Sequence, residues 1–194
     1  MKPGLTLYVV RHGETDWNAA GRLQGQIDIP LNDVGRAQAA RNGLRLLQQL
    51  GAADTVDFVA SPLSRAFETM QLLRANMGLA RDGFATDDRL KEISYGVCEG
   101  RTWPQLPPVD RAGVARSKDP YNWRPDGGES YADLTRRTAA FLATITRDTV
   151  VVTHGGITRT LRGLIVGIAT DKVPSLKVPQ DRVLVLKDGG MAWM

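Results

Sequence analysis

Histidine is the side chain whose charge changes near neutral pH, and this sequence contains two, His12 and His154. Both stand in the same local setting. His12 follows the apolar run Leu5–Val10 and Arg11, and precedes Gly13; His154 follows Thr149–Thr153 and precedes Gly155-Gly156. Short β-rich apolar runs read as buried strands. Both histidines are therefore expected at the carboxyl ends of strands, where ligands bind an open parallel sheet. The following glycines permit a sharp turn and bring amide donors close to a ligand. Alone, either histidine reads as an ordinary strand-end residue; as a pair with no others in the chain, they read as convergence on one site. Arg11 adds a fixed charge beside His12. Arg65 opens a helical segment after Ser61-Pro62-Leu63-Ser64, and helix N-termini and guanidinium forks both bind anions. By itself Arg65 would be a solvated helix-start residue.

The elements that must position these groups alternate along the chain. After the strand Leu5–Val10 comes a Gly- and Asp-punctuated loop to about Leu31, then a helix capped by Asn32 or Asp33, running to Leu50 and stopped by Gly51. Val56–Ala60 reads as the next strand. Helical spacing in Phe67, Met70, Leu73 and Met77 marks a helix over Ser64–Met77, and a weak strand signal lies at Phe84–Thr86. Helices are expected over Ser130–Arg147 and Ile157–Ile168, flanking the strand Thr149–Thr153. Val183–Leu186, the turn Asp188-Gly189-Gly190 and Met191–Met194 read as a terminal hairpin. Alternating strands and helices predict a three-layer α/β/α sandwich with a mainly parallel central sheet. Residues 101–129 hold Pro104, Pro107, Pro108, Pro120 and Pro125 with Trp103, Tyr121 and Trp123. They are expected to form a small cap insertion with at most one short helix in an otherwise single domain spanning 1–194.

Composition narrows the function classes. The chain of 194 residues is 42% hydrophobic and 24% charged, the composition of a soluble globular domain. One cysteine, Cys98, excludes a disulfide framework and a Cys-rich metal centre. The six-residue apolar run at the start is too short for a signal-peptide core or a membrane span, so a cytoplasmic protein with no membrane partner is expected. The formal charge of +4 rests mostly on arginine, with no basic run or aromatic-interleaved stripe, which argues against nucleic acid. There are five glutamates: Glu14, Glu68, Glu92, Glu99 and Glu129.

The ordered motifs resemble those of the histidine phosphatase superfamily, which includes the cofactor-dependent phosphoglycerate mutases. Arg11-His12-Gly13-Glu14-Thr15 with Trp17-Asn18 carries the first signature. Gln24-Gly25, Pro30-Leu31, Ser61 to Thr69 and Leu90-Lys91-Glu92-Ile93 continue it. Gly96 to Gly100, Gly127-Gly128-Glu129-Ser130 and Val152-Thr153-His154-Gly155-Gly156 complete it. All five glutamates fall inside these segments.

The resemblance implies a set of roles. His12 would be the nucleophile, phosphorylated on nitrogen. Arg11 and Arg65 would hold the equatorial oxygens of the transferring phosphoryl group, with His154 as a further donor and Asn18, Gln24, Gly25 and Gly155 as phosphate contacts. Glu92 would protonate the leaving alkoxide and then take the proton of the water that hydrolyses phospho-His12. Glu14 is expected to orient the loop or an arginine, Glu99 to be structural, Glu129 to be structural or to act at the cap, and Cys98 to be inert. No metal and no cofactor are expected, because two guanidiniums supply the charge a magnesium ion would bring. The same resemblance implies a small phosphorylated metabolite as partner.

Mutases of the family carry Arg-His-Tyr directly after the acid/base glutamate, whereas this chain reads Ile93-Ser94-Tyr95. That loss of the basic pair favours a phosphatase over a phosphoglycerate mutase-type phosphoryl transfer. A phospho-ligand binder without catalysis is disfavoured because Arg11, His12, Arg65, Glu92 and His154 are all present. Trp103, Tyr121, Trp123 and Arg124 could either contact the substrate, stacking on it and holding a second anion, or pack the cap onto the body. The apolar Val183–Leu186 segment could be an edge strand through which two copies pair as a homodimer.

Overall fold

The computed structural model describes residues 2–51, 55–106 and 119–194. Six strands form one sheet: β1 (Thr6–Arg11), β2 (Asp57–Ala60), β3 (Ala85–Thr86), β4 (Thr149–Thr153), β5 (Val183–Lys187) and β6 (Gly190–Trp193). Their order is β3-β2-β4-β1-β5-β6; the first four run parallel, and β5 and β6 are antiparallel additions at one side. The helices are α1 (Asp16–Ala19), α2 (Asp33–Leu50), α3 (Ser64–Asn76), α4 (Tyr131–Leu142) and α5 (Gly155–Val166).

Alternation along β1 creates the layers, because successive side chains leave opposite faces of a strand. Leu7 and Val9 enter a core shared with Leu134, Phe141, Ile157 and Leu161 of α4 and α5. Tyr8 and Val10 enter the other, with Leu46, Met70 and Leu73 of α2 and α3. Val150, Val151 and Val152 of the central β4 are all fully buried, as a strand covered on both faces requires. Among the described residues no helix is long and apolar enough to cross a membrane.

Several local details differ from the sequence reading. The helix expected over Ser130–Arg147 ends at Leu142. Ser130 caps its start reciprocally with Asp133, but at the far end the Thr144 hydroxyl bonds the Phe141 carbonyl and Ile145 turns into the core. The β-branched run Thr144-Ile145-Thr146 suits that turn toward β4 better than another helical turn. The helix expected over Ile157–Ile168 begins two residues earlier, with His154 as its N-cap, and closes at Gly167 in the left-handed region. Its glycines conceal the first turn in a propensity reading. Asn32, not Asp33, caps α2, its side chain accepting from the Gly35 amide at 2.9 Å. Val183–Leu186 is not an edge strand: β5 is paired on one side with β1 and on the other with β6. The edges of the sheet are β3 and β6, and a second copy would have to pair along one of them. Of the cap expected over 101–129, residues 107–118 lie outside the described residues; the remainder holds one short 3-10 turn, Trp103–Gln105.

Register sets the level of the site. In the parallel pair of β1 and β4, Arg11 lies opposite Thr153. The next residues on the two strands are His12 and His154, and the His12 amide donates to the Thr153 carbonyl at 2.8 Å. The loop after His12 is pressed against α2: a Cβ at Gly13 would stand 2.2 Å from the Gly35 carbonyl oxygen. Gly13→Ala should therefore cost about 1–3 kcal/mol through forced backbone displacement. Chemical denaturation checks this, and a variant as stable as the parent would contradict it.

Candidate active site

The two imidazoles meet, with ring centroids 5.0 Å apart and planes at 57°. His12 Nδ1 lies 2.7 Å from the carbonyl oxygen of Gly13. A carbonyl can only accept, so Nδ1 carries the proton and Nε2 keeps its lone pair. His12 lines a cavity of about 160 Å³ together with Arg11, Asn18, Gln24, Gly25, Arg65, Glu92 and Gly155. His154 lies behind it, fully buried, with Nε2 2.8 Å from the Ser61 hydroxyl. Ser61 Oγ also accepts from the Leu63 amide at 3.4 Å. Nδ1 of His154 has no partner among the described residues.

That orphan is one of a group. The buried polar side-chain atoms without a partner, among the described residues, are Arg11 Nε, Gln24 Oε1, Arg65 Nε, His154 Nδ1 and Arg162 Nε. All but the last belong to the predicted site. Leaving a buried polar group unpaired costs about 1–3 kcal/mol, so this concentration of unmet polar atoms, Gln24 Oε1 an acceptor beside three nitrogens, marks a place built for a ligand.

The guanidiniums are aimed by backbone carbonyls. Arg65 is fully buried at the start of α3; its two amino nitrogens donate to Ile27 at 2.9 Å and Gly25 at 2.8 Å. Asp28 stands 3.9 Å away. Arg11 donates to the Val178 carbonyl at 2.8 Å. Burial pulls both guanidiniums below their usual range while Glu92 pulls them back up, and arginine stays cationic at physiological pH. Glu92 sits at the N-terminus of α5: its Oε1 accepts from the amides of Ile93 and Gly156, each at 2.9 Å. A Cβ on Gly156 would lie 2.4 Å from that oxygen, so glycine is what admits the carboxylate. Its Oε2 and Arg11 Nε flank the Cα of Gly155, each 3.7 Å from where a Cβ would stand. Asn18 Oδ1 is occupied by Gln180 Nε2 at 3.0 Å and by the Thr15 amide at 3.3 Å, which leaves its amide nitrogen for the cavity.

Residues beyond the predicted set complete the site. Arg22, Leu23, Tyr95 and Arg159 also line the cavity. Gln180 ties the His12 carbonyl to Asn18 across 168 residues of chain, a reach no local pattern could reveal. Arg159 falls one helical turn after Gly155 on α5, and that spacing was a readable signal. Glu14 accepts from Asn32 at 3.0 Å, fixing the loop and not an arginine. Glu99 receives the amides of Gln26 and Tyr95, and Glu129 pairs with Arg137. Cys98 is buried. Among the described residues no group of three or more His, Cys, Asp or Glu could hold a metal ion.

Both histidines are held well below the usual histidine range. For His12 the causes are burial, then Arg65 and Arg11; for His154 they are burial, then Arg65, His12 and Arg11. Both are neutral at physiological pH. The folded state refuses protons that the unfolded chain accepts at about pH 6.5, so stability is complete above that value and falls as pH drops below it. The loss should grow as pH falls from 8 toward 5. Denaturant unfolding across this window checks it. His12→Asn should flatten the slope by about half, and an unchanged slope would count against a neutral His12.

A family model described as the histidine phosphatase superfamily (branch 1) matches residues 7–193. Glucosyl-3-phosphoglycerate phosphatase of Mycobacterium tuberculosis is 30% identical over 184 residues, covering 88% of this chain and 79% of the relative. Phosphoglycerate mutase-like protein 4 of Arabidopsis thaliana is 37% identical over 164 residues, covering 80% and 68%. Among solved structures, a mycobacterial glucosyl-3-phosphoglycerate phosphatase in complex with VO3 superposes with TM-score 0.79 at 28% identity, covering 98% of this chain and 96% of that one. A phosphoglycerate mutase from Thermus thermophilus gives 0.71 at 31% identity, covering 93% and 92%.

Proposed function

The chain belongs to the histidine phosphatase superfamily, branch 1, and from that membership we propose that it hydrolyses a small phosphorylated metabolite through phospho-His12. The supporting observation is the locked tautomer: the Gly13 carbonyl holds the proton on Nδ1, so Nε2 offers its lone pair inside a cavity edged by two guanidiniums. Nε2 attacks phosphorus, and the P–N bond forms as the P–O bond to the alcohol breaks on the opposite side. Arg11, Arg65 and the Nδ1–H of His154 hold the equatorial oxygens, where charge spreads in the transition state. Asn18, Gln24 and the backbone at Gly25 and Gly155 surround the same group. Glu92 Oε2 gives its proton to the departing alkoxide. It then takes one from water, whose oxygen attacks phosphorus and frees His12, so that ester and water become alcohol and phosphate. The chain works as one domain, and Trp103, Pro120, Trp123 and Glu129 of the described cap residues line a hollow that shares Leu23, Tyr95 and Arg159 with the site.

Phosphatase-named relatives at 30% identity support hydrolysis over phosphoryl return to a bound sugar acid, and so does Ile93-Ser94 where mutases carry a basic pair. The test is phosphate release from small phosphomonoesters in the presence of a chelator, run beside an assay for interconversion of phosphoglycerates. Release without added metal is the expected result. Interconversion with little free phosphate would make the chain a mutase. Binding of phosphate esters without an acid-labile, base-stable phosphoprotein would make it a binder.

A further inference from the structure

We propose that the alcohol half of the substrate occupies a second hollow beside the reaction cavity, built for a ring with an apolar face and a carboxylate next to it. This rests on the hydrolase reading above and adds to it the chemical class of the leaving group.

The hollow, about 190 Å³, shares Leu23, Tyr95 and Arg159 with the reaction cavity, so the two are continuous. One wall is apolar and made of rings: Trp103, Trp123, Pro120 and Pro174, with Ile93. The four aromatic and basic cap residues divide between two tasks. Tyr121 bonds Thr135 at 2.8 Å and packs on the core, and Arg124 is paired with Asp133, so these two fasten the cap. Arg124 is therefore not the holder of a second anion. The two tryptophans face the hollow, and Trp103 stays 41% exposed. An indole that the chain does not bury is free to stack on a ligand ring.

The opposite wall is polar. Tyr95 and Tyr131 are hydrogen-bonded to each other, and burial raises both phenols, so both remain neutral. Arg159 reaches between the hollows: Nε donates to the Leu176 carbonyl at 2.7 Å and one amino nitrogen to the Tyr131 hydroxyl at 3.1 Å. Its other amino nitrogen has no partner among the described residues. The carboxylate in the hollow, Glu129, is neutralised by Arg137 at 2.9 Å. A ligand anion therefore meets a guanidinium with one amino nitrogen to spare, and the hollow's own carboxylate is already paired. The walls are also held in place. The Leu23 amide bonds the Arg101 carbonyl at 3.0 Å, the Gly100 amide bonds the Leu23 carbonyl at 2.8 Å, and the Ala132 amide bonds the Tyr121 carbonyl at 3.1 Å.

Four alkyl phosphates separate the two features: ethyl phosphate carries neither, benzyl phosphate the ring, 3-phosphoglycerate the carboxylate and 4-carboxybenzyl phosphate both. In kcat/KM the ring should gain about fivefold and the carboxylate about tenfold over ethyl phosphate. Trp123→Ala should erase the ring's advantage and Arg159→Gln the carboxylate's, each read as a ratio to ethyl phosphate in the same variant. Flat selectivity in the parent, or variants that lower all four substrates equally, would overturn the proposal. Tryptophan fluorescence in His12→Ala supplies a readout independent of turnover. There 4-carboxybenzyl phosphate should bind more tightly than ethyl phosphate, and Trp123→Ala should remove the difference. Absence of that difference overturns the subsite whatever catalysis does; its presence without phosphate release overturns the hydrolase reading alone.

Discussion

His12→Ala should reduce turnover by about 10⁴-fold or more, because it removes the atom that forms the covalent intermediate. His154→Asn should cost less, about 10²–10³-fold, because it removes one donor to the transferring group and leaves the nucleophile in place. The structure separates the two histidines by their hydrogen bonds. His12 is fixed through Nδ1 by the Gly13 carbonyl and keeps Nε2 for attack, whereas His154 spends Nε2 on Ser61. Trapping with acid after incubation with a phosphodonor distinguishes them: His154→Asn should still yield an acid-labile phosphoprotein, and His12→Ala should yield none. Label in His12→Ala, or its loss only in His154→Asn, would exchange the two assignments. The depressed titration of His12 adds a second mark. Activity should not fall as pH drops through 6.5, the ordinary histidine value, because the buried imidazole beside Arg65 and Arg11 stays neutral there.

The parts of this site legible in the sequence were those written in short-range pattern. Apolar runs ending in His12 and His154 announce strand ends, and a parallel pairing of β1 and β4 brings them level. Arg65 is legible as a helix-start residue after Ser61-Pro62. What escaped depends on distant chain segments. Gln180 sits in no motif, and only the return of the chain toward β5 places its amide against His12 and Asn18. Ser61 was visible as a loop residue, but its bond to His154 spans 93 positions. β5 shows why an apolar run alone does not define a strand's place. Val183–Leu186 reads equally well as edge or interior, and only its two ladders, to β1 and β6, decide. The start of α5 was misplaced for a related reason. Gly155 and Gly156 weaken the helix signal, yet Gly156 is needed there because any side chain would strike Glu92.

Glu92→Gln should divide the reaction at its two proton transfers. Glutamine keeps an oxygen to accept from the amides of Ile93 and Gly156, so the helix start and the stability of the fold should be preserved. It has no proton to give to an alkoxide and cannot take one from water. With an alkyl phosphate, the first half-reaction needs the acid, and kcat/KM should fall by about 10²–10⁴-fold. With 4-nitrophenyl phosphate, the leaving group departs as a stable anion, so phosphorylation of His12 should proceed almost undisturbed. Hydrolysis of phospho-His12 still lacks its base. The variant should therefore release a burst of one nitrophenolate per active site and then turn over slowly, with phosphoprotein accumulating. The alkyl substrate should give no burst, because its block comes before the intermediate. A rapid-mixing experiment with both substrates reads this directly. Equal losses on the two substrates would mean that Glu92 orients Arg11 or the start of α5 and carries no proton in either step. Another carboxylate would then have to be sought around the cavity. Glu99 and Glu129 are bound to structural partners, and Asp28 beside Arg65 accepts from Ser64.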